Sequence, residues 1–240
     1  AIQLYQETKD PRAAEVVEHL NKILSTSKAR KDLLQYAKHV YPGYKDPAHI
    51  QLIAKHLQQL EEGTIKRLAV FMPPRHGKSM LCSEFFPAWY LGNNPNEFVI
   101  QSTYAQELAD DFGRKVRNQL QSPDFNNVFP SVALRSDSTS AKRFHTMQGG
   151  TYTAVGAGGA ITGRGAHLLI IDDPIKGRED AESAVQRKNL IEWYKAVAYT
   201  RLQPGGKIII VQTRWHQEDL AGYILNESGE DWKVLDLPAI

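Results

Sequence analysis

Lys78 and Ser79 close the stretch Pro73-Pro-Arg-His-Gly-Lys-Ser79, which follows an apolar run at 68–72 and precedes a helical pattern at 80–89. A tight loop between a buried strand and a helix start, ending Gly-Lys-Ser, is suited to holding nucleotide phosphates. Residues Pro74, Arg75, His76, Gly77, Lys78, Ser79 and Met80 form the candidate cradle. Gly77 lets the backbone approach a phosphate, while backbone N–H groups and the helix N-terminus supply partial positive charge. Lys78 is placed to reach the β- and γ-phosphates and Ser79 to hold a magnesium ion. The usual pattern has a glycine where this sequence has Met72.

A second apolar run, 168–171, ends in Asp172 and Asp173. Acids at the C-terminal end of such a strand lie where ligands bind in open α/β sheets. Asp172 is expected to contact magnesium through water, and Asp173 to orient or activate the attacking water. Glutamate is the commoner second acid and reaches further, so Glu179 stands as the alternative to Asp173. A third run, 207–211, leads into Gln212 and Thr213, then Arg214, Trp215 and His216. Polar residues there would sit near a γ-phosphate and register its loss. For Trp215 and His216, packing at a helix start is an equal reading.

These groups need a scaffold. The first sixty residues read as helix, with Ala13, Val16, Val17, Leu20, Ile23 and Leu24 at helical spacing, then Leu33, Leu34, Ala37 and Val40. Asp46-Pro47 predicts a capped helix start with proline first, and Gly63 a helix end. Beyond Gly63, short apolar runs at 68–72, 98–101, 168–171 and 208–211 alternate with helical patterns such as 105–120 and 182–199. That alternation predicts a mainly parallel central sheet with helices on both faces. Residues 143–148 and 151–155, around Gly149-Gly150, predict a β-hairpin. Residues 156–165 contain five glycines and predict a loop.

Composition narrows the classes. With Lys+Arg 29 against Asp+Glu 27, nucleic-acid binding by bulk charge is excluded, and only a local basic patch could serve. Cys82 is the only cysteine, which excludes disulfide frameworks and multi-cysteine zinc sites. There is no apolar run near ~18 residues and no basic-then-apolar start, so the expectation is a soluble, intracellular, reduced chain without membrane contact.

Taken together, the motifs resemble the large subunit of tailed-phage terminases. Met72-Pro-Pro-Arg-His-Gly-Lys-Ser79 matches as a variant Walker A, and residues 168–174 as Walker B. Thr213-Arg-Trp-His216 with Asp219-Leu220 looks like the coupling motif; Gly163-Arg-Gly165 and His49-Ile-Gln51 also have the family look. The resemblance covers about residues 40–238. It implies an additional-strand P-loop ATPase that uses ATP and Mg2+, assembles as a ring on the portal protein and translocates double-stranded DNA into a procapsid. It also implies a small terminase subunit as partner, the cytoplasm of an infected bacterium as location, and a C-terminal nuclease domain beyond this chain, with its linker beginning at 235–240.

By position, the resemblance gives Lys78, Ser79, Asp172 and Asp173 the nucleotide machinery and Arg75 a nucleotide-sensing place. His49 and Gln51 fall where adenine would be contacted, with an exposed helix face as the other reading. Arg164 is the candidate arginine finger acting on a neighbouring subunit, with pairing to its own Asp172, Asp173 or Glu179 as the alternative. The expected division is a helical lead-in at 1–62 packed on an ATPase core at 63–240. Another P-loop ATPase or helicase, and a nucleotide-gated scaffold without turnover, are the competing functions. For DNA, Arg114, Lys115 and Arg117 on one helix and Lys142-Arg143 at the hairpin are candidates, the helix cluster reading more simply as a solvated face.

Overall fold

The computed structural model describes residues 11–161 and 163–238. Residues 1–10, Thr162, Ala239 and Ile240 lie outside that set, and with them the reading of the N-terminus and the last residues of the expected linker. Three helices come first: α1 (Pro11–Lys31), α2 (Leu33–Val40) and α3 (Ala48–Glu62). Strand β1 (Arg67–Phe71) leads through residues 72–79 to a π-helical turn (Met80–Phe85) and α4 (Phe86–Asn93). Next come β2 (Phe98–Thr103), α5 (Gln106–Leu120), α6 (Pro123–Val128), β3 (Leu134–Thr139), β4 (Arg143–Thr146) and β5 (Thr151–Gly156). The chain continues through β6 (Ala166–Asp172), α7 (Arg178–Glu182), α8 (Ala184–Trp193), β7 (Leu202–Gln212), α9 (Leu220–Asn226) and β8 (Lys233–Asp236).

The strands form one sheet in the order β3-β4-β5-β2-β6-β7-β1-β8. From β5 to β8 all neighbours are parallel, while β4 runs antiparallel to both β5 and β3. The fold is mixed α/β, an eight-stranded sheet flanked by helices. Its central strands are unbroken apolar runs because both faces are covered. Leu68, Val70, Leu168, Ile170, Ile209 and Val211 pack on one side with α2, α3, α4 and α5. Ala69, Phe71, Leu169, Ile171, Ile208 and Ile210 pack on the other with α8 and α9. Each of these side chains except Ala69 contributes roughly 1.5–3 kcal/mol by leaving water. No helix among the described residues is long and apolar enough to cross a membrane.

Several sequence expectations need correction. α3 starts at Ala48 with Pro47 as its cap, and Asp46 instead pairs with Lys38 at 2.9 Å. The helical run at 182–199 breaks at Ser183, whose hydroxyl caps α8, and ends in a π turn (Tyr194–Ala198) and a 3-10 turn (Tyr199–Arg201). Leu235 and Asp236, expected to open the linker at 235–240, instead lie in β8 beside β1. β3 was not foreseen. The apolar residues Val16, Leu20, Ile23 and Leu24 of α1 are exposed; α1 engages the body near its end, where Ala29 is buried and the Trp89 indole donates to the Ala29 and Arg30 carbonyls.

Candidate nucleotide site

Strands β6, β7 and β1 are parallel neighbours, so the segments leaving their C-terminal ends meet at one edge of the sheet. Gly77, Lys78 and Ser79 follow β1, Asp172 ends β6 with Asp173 next, and Gln212 ends β7 with Thr213 next. β7 lies between the other two, its Gln212 level with Phe71 and its Val211 level with Asp172.

Lys78 is 4% exposed, and its Nζ lies 3.0 Å from Asp173 Oδ2 and 3.4 Å from Thr213 Oγ1. Asp173 is fixed from a second side: the Thr213 backbone N–H donates to Oδ1 at 2.8 Å. Its φ of +42° lies in the left-handed region, which aspartate tolerates better than most residues. The structure therefore brings Asp173 to Lys78. Glu179, the alternative, is exposed on α7 and makes no hydrogen bond or ion pair among the described residues.

Asp172 is almost wholly buried, and both its oxygens are engaged. Ser79 Oγ donates to Oδ1 at 3.1 Å, and Ser83 Oγ donates to Oδ2 at 2.6 Å. Ser83 escaped the sequence reading. It lies in the π-helical turn, where the Phe86 N–H bonds the Leu81 carbonyl five residues back. The signal was Pro87, which has no N–H for the Ser83 carbonyl and crowds it, so the preceding turn widens. Burial, and then the neighbouring Asp173 charge, push the Asp172 carboxyl up to about 7, against the opposing pull of Ser83, Ser79 and Lys78.

Ser79 and Asp172 are hard oxygen donors of the kind magnesium takes. The Thr103 hydroxyl on β2, buried and without a hydrogen-bond partner, lies one step past the Ser102–Ile171 pairing of β2 with β6 and is available to a water shell. Among the described residues no group of three His, Cys, Asp or Glu could hold a metal. The donor set fits a cation that draws most of its ligands from phosphates and water.

The loop itself has two left-handed residues, Arg75 (φ +66°) and Gly77 (φ +85°). A Cβ on Gly77 would also press to 3.3 Å from Ile50 Cδ1 on α3. Met72, at the place of the usual first glycine, has no such φ, and its side chain is buried in the core. His49 reaches the loop, its Nε2 3.2 Å from the His76 carbonyl, and His76 Nδ1 lies 2.8 Å from the Pro74 carbonyl. Gln51 turns away and donates to the Asp46 carbonyl at 2.8 Å. Arg75 is exposed, and Met80 packs against the core.

Gln212 faces the following segment rather than Lys78: its amide donates to Asp219 Oδ2 at 2.9 Å. Asp219 is buried, caps α9 through the Gly222 N–H at 2.9 Å, and accepts from Arg214 Nε at 3.2 Å. The Arg214 guanidinium lies over the Phe71 ring, 5.3 Å from its centre, linking this network to the end of β1. His216 sits in the turn before α9, with Nδ1 accepting from the Glu218 N–H at 3.0 Å. Trp215 is 41% exposed and lines a water-sized pocket with Asp173, Pro174 and Thr213.

Arg164 is elsewhere. It precedes β6, whereas Asp172 ends that strand of seven residues, so about 20 Å of extended chain lies between the two ends. The structure does not have Arg164 paired with Asp172, Asp173 or Glu179 of its own chain.

A family model described as the terminase large subunit, T4likevirus-type, N-terminal, matches residues 70–240. The chain belongs to that family. The matched region of this terminase chain takes in all three strand ends and Lys78, Ser79, Asp172 and Asp173. Among curated proteins none matches. Among solved structures there is a distant likeness to the N-terminal domain of the DNA packaging ATPase from bacteriophage phi29, at 14% identity. That match covers 75% of this chain and 93% of that one, with a TM-score of 0.41.

Proposed function

We propose that this terminase chain is an ATP-hydrolysing motor that drives double-stranded viral DNA into a procapsid. The observation that carries the reading is the meeting of Lys78, Ser79, Asp172 and Asp173 at one sheet edge. The placement of β7 between the loop strand β1 and the acidic strand β6 supports an additional-strand P-loop fold. Residues 63–240 form the ATPase core of this reading and residues 1–62 its helical lead-in.

Lys78 exchanges Asp173 for the β- and γ-phosphates of ATP, where its charge offsets the negativity that develops as the γ-phosphoryl leaves. Asp173, freed from Lys78, orients the attacking water. Ser79 and ionised Asp172 would hold Mg2+, and Ser83 keeps Asp172 aimed. Magnesium, when bound, would supply neutralisation of the charge that builds on the phosphates. Family membership supports the partners of this reading: duplex DNA, further copies in a ring, the portal protein and the small terminase subunit, in the bacterial cytoplasm. The test is steady-state phosphate release. Lys78→Ala should fall to background while the protein stays folded, and turnover close to that of the unaltered chain would remove the reading.

A further inference from the structure

The antiparallel end of the sheet presents two unlike faces. Phe144 and Tyr152 point inward and stack, ring centres 4.8 Å apart. Their neighbours in sequence point the other way, so Arg143 and His145 of β4, Thr151 and Thr153 of β5 and Phe98 of β2 share the opposite face. The segment Gly163-Arg164-Gly165 lies over that face, and between them is a cavity of about 270 Å³.

Its chemistry differs from that of the nucleotide edge, because no carboxylate lines it. Most of the chain's candidate DNA-binding cations are already paired. Arg114 binds Asp111 at 2.6 Å, Lys115 binds Glu84 at 2.7 Å, Arg117 donates to the Thr139 carbonyl at 3.0 Å, and Lys142 lies 3.8 Å from Asp110. The guanidinium groups of Arg143 and Arg164 have no hydrogen bond or ion pair among the described residues, and the hydroxyls of Thr151 and Thr153 have no hydrogen-bond partner there either. The His145 imidazole is held below its usual range by burial and by the positive charges of Arg143 and Arg135, against the opposing Asp137. The cavity therefore combines two free guanidinium groups, two free hydroxyls and a net positive field. That combination suits a phosphate group, since guanidinium forks match its oxygens.

We propose that this cavity is a phosphodiester site that grips the backbone of duplex DNA through Arg143 and Arg164. The site lies at the opposite sheet edge from Lys78, so it cannot serve the nucleotide of the same chain. The identity of the polyanion rests on the packaging reading, whereas the cavity and its free cations do not.

The test is duplex-DNA binding by fluorescence anisotropy over a range of salt. Each neutralised phosphate contributes about 0.9 to the slope of log affinity against log salt. Arg143→Ala and Arg164→Ala should each weaken binding several-fold and lower that slope by about one, and Arg143→Glu with Arg164→Glu should remove most of the affinity. Arg143→Lys, which keeps the charge at an exposed position, should retain the slope, so loss of fold is separable from loss of contact. Unaltered affinity in the double charge reversal, with the native chain binding well, overturns the site and leaves the packaging reading standing. No salt-sensitive binding by the native chain overturns both. A γ-phosphate held by a neighbouring copy is the other source of the same chemistry. If mixing Arg164→Ala with Lys78→Ala restores ATP turnover while the charge reversals leave DNA affinity unchanged, the cavity serves that nucleotide and the DNA assignment is overturned.

Discussion

Asp172 is the residue whose environment departs furthest from what its letter suggests. An aspartate ordinarily ionises near 3.8, and burial together with Asp173 moves this one to about 7. The folded chain therefore binds a proton that the unfolded chain has released, and stability falls as pH rises from about 4 to about 7 before levelling off. Asp172→Asn removes that ionisation. In metal-free buffer the variant should melt several degrees above the native chain at pH 8 and nearly with it at pH 4, since each kcal/mol is worth about 2–4 °C at this size. A melting difference that is the same at both pH values would show that the buried charge is not what costs stability. Lys78, Ser79, Asp172 and Asp173 were readable in the sequence because each stands at a junction between an apolar run and a loop. Ser83 was not readable, because its bond to Asp172 depends on a widened helical turn set by Pro87.

At the level of elements, α5 lies close against the connection between β3 and β4. Gly113 marks the contact: a Cβ there would fall 2.0 Å from the Ala141 carbonyl oxygen, a backbone atom that cannot swing aside. In an exposed helix, glycine to alanine stabilises by up to about 1 kcal/mol. Here Gly113→Ala should instead destabilise by roughly 1–3 kcal/mol, read as a lowered denaturation midpoint with an unchanged slope. A midpoint that rises would mean the helix stands clear of that connection. The central strands were legible because burial on both faces leaves unbroken apolar runs. β3 was not, because an edge strand with no buried residue, Leu134–Thr139, carries neither an apolar run nor a clean alternation. β8 was missed because four residues are too few to show a period. Asp46-Pro47 misled because the helix starts at Ala48, which puts Pro47 at the cap and leaves Asp46 outside it, paired with Lys38.

Across the whole molecule, helical spacing told where α1 would form and not whether its apolar residues would be covered. Leu20 and Leu24 are 43% and 57% exposed, so Leu20→Glu with Leu24→Glu should leave the melting temperature within a degree or two, as surface changes do. A fall of 5 °C or more would mean that these residues are covered in solution. The sheet order, finally, bears on how the chain acquires its structure. β1, the strand before Lys78, is made well before its sheet neighbours β7 and β8. Leu68 pairs with Ile209 and Lys233, so β1 cannot take its place in the sheet until strands far along the chain have been made. Contacts of such long range are slow to form because a large loop must close first. As the chain grows, β2, β5 and β6 are complete before β7 is, so the apolar β1 and the loop after it wait for partners that come later in the chain.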